Sequence, residues 1–234
     1  MQPSVEHYLK SEFPHIKARL STRARRFSLR FDALQNALVL NIPPHANLLR
    51  LQQFLKDSST WMSNILKNNI SKPAHPHNHI YLLGTPLRVM YEEKKITHVW
   101  QTQEVLHFSS PQHKKTQCIE AWFRRTAHQH FISLATQLAE KIGVSIKKLV
   151  IKDTRSRWGS CSHQGVISLS WRLLLAPPEV AYYVCAHEIA HLKEMNHGTA
   201  FWELVGHLDP HYRQSLLWLK KNGASLFYFN ADNL

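Results

Sequence analysis

The chain has 234 residues, 44% of them hydrophobic, with 29 Lys and Arg against 16 Asp and Glu and a formal charge of +13. A chain this long buries about 70–75% of its unfolded surface, and its even composition excludes collagen-like, low-complexity and disulfide-scaffold classes. The charge favours polyanionic partners or substrates, a nucleic acid or a nucleotide among them, without naming one.

Residues 17–30 carry Lys17, Arg19, Arg23, Arg25, Arg26 and Arg30 with no acid between them. Phe27, Leu29 and Phe31 alternate with polar positions, as in a half-buried strand whose wet face holds Arg26, Ser28 and Arg30. The run reads either as a phosphate-contacting ridge or as a solvated strand face. Leu38, Leu40 and Ile42 give a second strand, and a turn over residues 32–36 makes 25–42 a hairpin. Leu48, Leu51, Leu55, Trp61, Ile65 and Leu66 have helical spacing, divided near Ser58-Ser59-Thr60. Residues 68–79 read as a connector, and its alternating His75, His77 and His79 as linker rather than metal site.

Four short apolar runs, 80–83, 87–91, 96–100 and 105–108, predict a β meander. Ile119, Trp122, Phe123, Phe131, Leu134, Leu138 and Ile142 then mark one stripe of a helix over 112–142, ended by Gly143. A strand follows around Ile146, Leu149 and Ile151, then a polar small-residue segment, 155–162, and another strand from Val166 to Leu173. Pro177-Pro178-Glu179 opens a helix, since Pro fits the first turn and an acid favours the positive end of the dipole. Two amphipathic helices follow, one over Phe201, Leu204, Val205 and Leu208, the other from Pro210 to Asn222-Gly223. The tail Leu226-Phe227-Tyr228-Phe229 tucks onto the body. The fold class is α+β, with a β-rich N-terminal region over 1–110 (hairpin, helix and meander) and a second domain over 111–234.

The helix opened by Pro177 carries His187-Glu188-Ile189-Ala190-His191. Residues four apart on a helix lie about 40° apart around the axis and roughly 5–6 Å apart at Cβ, so His187 and His191 can grip one metal ion. Glu188 is about 100° further round, too far to ligate easily beside them but placed to hold a water as general base. A catalytic zinc takes three protein ligands, and His197 is the first candidate for the third. It requires the chain to leave the helix near Met195-Asn196 and turn back, and Asn196 and Gly198 tolerate the positive φ such a turn uses. Glu203 is the rival third ligand. Seventeen histidines raise the chance of an accidental HExxH; the apolar surroundings, Val184, Cys185, Ile189, Ala190 and Leu192, and the third histidine weigh against accident.

Cys118, Cys161 and Cys185 are far apart and odd in number, which reads as reduced thiols in a cytoplasmic protein. The first residues lack a signal peptide's apolar core, and no run of about 18 apolar residues offers a membrane span.

Together, Arg157-Trp158-Gly159-Ser160-Cys161, Leu174-Leu175-Ala176-Pro177-Pro178, His187-Glu188-Ile189-Ala190-His191 and Asn196-His197-Gly198-Thr199-Ala200-Phe201-Trp202 resemble the YgjP-like (DUF45) metallopeptidase family. The likeness is densest over residues 147–222. It implies a zincin-like catalytic domain related to SprT-like peptidases, with the active-site helix packed on a small sheet. It also implies a protein or peptide substrate, and favours His197 over Glu203 as the third zinc ligand. Lys193 departs from the broad zincin pattern, where a hydrophobic residue is usual. In zincins the substrate lies along a strand edge beside the metal, and residues 165–172 are the local candidate, with Arg155 and Arg157 bordering the cleft. No oxyanion donor stands out, although His207, His211 and Tyr212 lie downstream.

Two other readings stay open. A metal-dependent nucleotide phosphohydrolase of pyrophosphatase type uses the same site chemistry, although no GxxxxGK[ST] loop and no acidic cluster suited to magnesium occurs. A nucleic-acid-binding protein with a structural metal explains the charge but leaves Glu188 idle.

Overall fold

The computed structural model describes residues 3–32, 37–70, 78–154 and 156–234. Two compact units divide the chain, Met1–Ala74 and His75–Leu234. The division falls at 74/75 rather than 110/111 because the sheet over residues 79–110 shares its core with the long helix after it. Leu87, Val89, Leu106 and Phe108 belong to one cluster with Ile119, Phe123 and Phe131.

In the first unit, α1 (Pro3–Glu12), β1 (Ile16–Leu20), β2 (Ser28–Asp32), β3 (Ala37–Ile42), α2 (Leu48–Asp57) and α3 (Ser59–Ile70) follow in order. The sheet order is β1-β3-β2, with β1 parallel and β2 antiparallel to β3. Ile16, Leu38, Leu40 and Ile42 bury against Val5 and Leu9 of α1 and Leu51 and Leu55 of α2. The expected hairpin is β2–β3; its turn at 33–36 lies outside the described residues. The predicted helix divides at Ser58, and Asn47 caps the start of the first half by accepting from Leu49 N at 2.8 Å. β1 went unpredicted although Ile16, Ala18 and Leu20 alternate with Lys17 and Arg19, because the strand is short, lies in a basic run, and buries only Ile16.

The second unit starts with β4 (His79–Leu82), β5 (Thr85–Glu93), β6 (His98–Gln101) and β7 (Val105–Ser110). Their order is β4-β5-β7-β6, and β5 and β7 are parallel, so the predicted meander is corrected. β7 takes the interior position because Leu106 and Phe108 need cover from both sides, whereas every residue of β6 stays at least partly exposed. Leu83 and Gly84, with φ of 49° and 83°, make the two-residue turn between β4 and β5.

α4 (Lys115–Lys141) buries Ile119, Phe123, Ala127, Phe131, Ala135 and Leu138 along the predicted stripe, and Gly143 follows its end at φ 66°. β8 (Lys148–Lys152), β9 (Gly159–Cys161) and β10 (Val166–Ser170) form a second sheet in the order β8-β10-β9. α5 (Pro178–Ala190), α6 (Thr199–Leu208) and α7 (Tyr212–Asn222) complete the unit. α5 is apolar on nearly every side and packs on α4, α7 and β9. Among the described residues no helix is long and apolar enough to cross a membrane.

The tail is held by a buried cation. Arg172, 4% exposed, pairs with both carboxylate oxygens of Asp153 at 2.7 and 3.0 Å and donates to the carbonyls of Leu226 and Phe229. Its guanidinium lies over the rings of Trp171 and Phe227 at 4.4 and 4.9 Å. Removing one partner of a buried pair typically costs about 3–5 kcal/mol. Arg172→Met is expected to lower unfolding stability by about 3 kcal/mol and to make the segment after residue 222 the first site of limited proteolysis. Denaturant midpoints and mass spectrometry of the fragments measure both, and a variant as stable and as resistant as wild type would contradict this account of the tail.

Candidate active site

α5 delivers His187 and Glu188 from its last turn and His191 as its C-cap. The helix stops at Ala190, about one turn before the expected exit at Met195-Asn196. Leu192, Lys193 and Glu194 then fold back in tight turns onto the carbonyls of Ile189 and Ala190, and Lys193 is exposed there, so its charge has no packing to disturb. The return to His197 uses no positive φ at Asn196 or Gly198; Gly198 N donates to Asn196 O at 2.8 Å and Gly198 is the N-cap of α6.

That path brings the three predicted histidines together. One nitrogen from each of His187, His191 and His197 lies within 4.8 Å of the others, and the Nε2 atoms of His187 and His197 are 3.1 Å apart. Two nitrogens on one tetrahedral zinc, each about 2.0–2.1 Å from it, are about 3.3–3.4 Å apart, so the spacing fits a shared ion. His191 Nδ1 meets Glu194 O at 2.9 Å; a carbonyl can only accept, so the hydrogen is on Nδ1 and Nε2 is bare toward the cluster. Burial, with His191 and His197 adding to it, lowers the His187 pKa to about 4, which keeps its ring in the neutral, ligating form. Phe201 packs against all three rings at centroid distances of 4.9, 4.5 and 4.7 Å. Glu203 is exposed on α6 and outside the cluster.

Glu188 is 6% exposed. Burial raises its pKa to about 8 despite the opposing charge of Arg157. The strand β9 presses against it: a Cβ on Gly159 would lie 2.5 Å from Glu188 Oε1 and 2.6 Å from its Cγ. Only glycine leaves room for this carboxylate. Burial, then Glu188, raises the Cys161 thiol to about 11 and the Cys185 thiol to about 12, so neither supplies a thiolate at neutral pH.

The family comparison agrees with this cluster, because the YgjP-like, metallopeptidase domain matches residues 25–222. The chain belongs to the YgjP-like family. Its matched segment spans most of both units, and the family model it matches is described as a metallopeptidase domain. A curated relative, the UTP pyrophosphatase of Escherichia coli (strain K12), is 42% identical over 48 residues, 19% of this chain and 29% of that protein. The crystal structure of the metallopeptidase zymogen of Pyrococcus abyssi abylysin is similar at 22% identity and a TM-score of 0.35, over 38% of this chain and 93% of that one.

In this YgjP-like chain β10 is not the open edge that residues 165–172 were expected to offer, because β8 and β9 flank it. Among the described residues β8 and β9 are the edges of this sheet, and β9 is the one beside Glu188. Ser170 N donates to Trp158 O and Ser162 N to Val166 O, so antiparallel alternation turns the backbone groups of Gly159 and Cys161 away from β10. A groove of about 1030 Å³ leads from His197 along α6 and α7, lined by Trp202, Tyr212, Leu216 and Leu217 among others. Tyr212 stacks on Trp202 and Tyr183, while His207 and His211 are exposed and outside the cluster. Arg155, His75 and His77 lie outside the described residues, and His79 is exposed at the start of β4. Gly159 and Phe201 were given no role at the site, although both stand in the family-like segments 157–161 and 196–202.

Two outcomes test this geometry. Gly159→Ala is expected to displace the carboxylate and lower kcat by about 10²-fold, with metal content unchanged by elemental analysis. In metal-free protein the Glu188 carboxyl is ionised in the unfolded chain above about pH 4.5 but stays protonated in the fold to about pH 8. The folded state therefore holds the extra proton in that window, and stability falls as pH rises through it. Chelator-treated wild type should lose a few kcal/mol relative to Glu188→Gln between pH 5 and 8; parallel stability curves for the two proteins would reject the buried, protonated carboxyl.

Proposed function

We propose that the protein is a zinc-dependent peptidase in which His187, His191 and His197 hold the metal and Glu188 is the general base. The observation that carries this reading is the convergence of three imidazole nitrogens within 4.8 Å beside a buried carboxylate. A bound zinc would act as Lewis acid on the scissile carbonyl and acidify the attacking water. Glu188, buried beside the three rings and ionised by the charge of a bound metal, would take the proton from that water and pass it to the leaving amine nitrogen. Gly159 and Cys161 offer their N–H and C=O groups to an extended peptide along the β9 edge. Side chains on one side of the scissile bond would enter the groove beside Trp202 and Leu217.

A second reading, a nucleotide pyrophosphatase, has one structural observation in its favour. Lys152, Thr154, Arg157, Ser160 and Ser168 line a pocket of about 120 Å³ on the opposite side of β9 and β10 from Glu188. It has a suitable size and polarity for a phosphate group, and the curated relative is named a UTP pyrophosphatase.

Purified wild type and Glu188→Gln, each checked for bound metal, assayed on denatured casein and on a panel of nucleoside triphosphates, separate the two readings. The peptidase reading expects Glu188→Gln to keep its zinc and lose about 10²- to 10⁴-fold in casein cleavage. It also expects His197→Ala, but not Glu203→Ala, to lose the metal. Phosphate release that alone depends on Glu188 would transfer the assignment to nucleotides.

A further inference from the structure

We propose that the outer face of the first unit's sheet binds the phosphodiester backbone of a nucleic acid without regard to sequence. This surface belongs to the first unit and the histidine cluster to the second, so the proposal does not rest on the function assigned to that cluster. Residues Met1–Ala74 hold eleven Lys and Arg against four Asp and Glu, +7 of the chain's +13 in less than a third of its length.

The strand register collects part of that charge on one surface. Ile16, Leu38, Leu40 and Ile42 turn toward the helices, so the alternate residues face the other way. Lys17 and Arg30 flank Val39 across the three strands, and Arg19 and Ser28 flank Asn41. Asn41 Nδ2 donates to Ser28 Oγ at 3.1 Å, which fixes both on that face. Strand geometry sets Lys17 and Arg30 about 10 Å apart and Lys17 and Arg19 about 7 Å apart, spacings that reach separate phosphates rather than one.

β1 and β2 lie on either side of β3, so residues 21–27 cross its end, where Ser21 N donates to Ile42 O at 2.9 Å. Exposed Arg23, Arg25 and Arg26 ride on this crossing. Lys and Arg on edge strands also guard against sheet extension, but three of these six cations are on no strand, where such guarding has no use. Asp32 is the acid on this face, and Arg30 is 3.4 Å from it. The strand residues of the face include no aromatic ring, and Phe27 stacks instead on Phe54 of α2 at 5.6 Å. Bases have nothing to stack on, so the phosphates are what this surface can read.

The test is the salt dependence of binding, by fluorescence anisotropy, to two labelled 20-base-pair duplexes of unrelated sequence. Three proteins are compared: wild type, the triple variant Arg19→Gln, Arg23→Gln, Arg26→Gln, and a control with the same loss of charge, Lys147→Gln, Lys148→Gln, Lys220→Gln. All six positions are exposed, and matching melting temperatures would verify that the variants fold. Each phosphate contact adds about 0.9 to the slope of log K against log salt. Wild type is expected to bind both duplexes alike, the triple variant to lose about 2–3 from the slope, and the control to keep it. Equal slopes in wild type and triple variant, an equal loss in the control, or no duplex binding at low salt would overturn the proposal. Arginine-dependent binding only to vesicles containing phosphatidylserine would also overturn it, in favour of a membrane surface.

Discussion

Glu188 is an ionisable group in a dry position, and much of the second unit is arranged to keep it there. A carboxylate taken out of water is costly unless charge or hydrogen bonds compensate it, and Arg157 offsets only part of the effect of burial. The neighbouring imidazoles are uncharged for the same reason, since burial and mutual repulsion push His187 and His191 below the ordinary histidine range. Two neutral rings, with a third imidazole nitrogen converging on them beside an uncompensated acid, form an environment that would favour a divalent cation, whose charge would stabilise the ionised carboxylate.

The supports for this arrangement reach far along the chain. Gly159 sits against Glu188, and the Trp158 ring next to it packs on Gly223, where a Cβ would come within 3.2 Å of the indole, and on Phe227 at 5.3 Å. Phe227 also faces the Arg172 guanidinium. The last residues thus hold Trp158, Trp158 sets β9, and β9 confines the carboxylate. On the other side Phe201 holds the three rings from below, so the first turn of α6 and the last turn of α5 are fixed together.

Much of this was legible in the sequence because it obeys short-range rules. The 3.6-residue stripe of α4, the proline start of α5 and the spacing of His187 and His191 are local, and the structure has each of them. Pairing across a sheet is not local. The positions of β7 between β5 and β6 and of β10 between β8 and β9 depend on which strand most needs cover on both sides, and single-strand patterns do not rank that need. Gly159 was illegible for a related reason: its role is set by a side chain 29 positions later, and a glycine in a polar run reads first as a turn. The exit from α5 came early because Leu192, Lys193 and Glu194 close tight turns, a choice that helix propensity alone does not reveal.

The proposed metal site does not by itself select between peptide and phosphate, since a Lewis acid and a general base would serve attack on carbon or on phosphorus alike. Selection lies with what flanks it, and the two sides of β9 differ. Its open edge presents backbone groups in the alternation an extended peptide can match, a feature a nucleotide has no means to use. The pocket at Lys152, Arg157 and Ser168 presents cations and hydroxyls to a compact anion. A peptide can use both, laying its backbone on the edge and an acidic side chain in the pocket, because neighbouring side chains of an added strand point to opposite faces. A triphosphate can use the pocket and a bound metal but not the edge, so the proposed peptide reading draws on more of the features around β9.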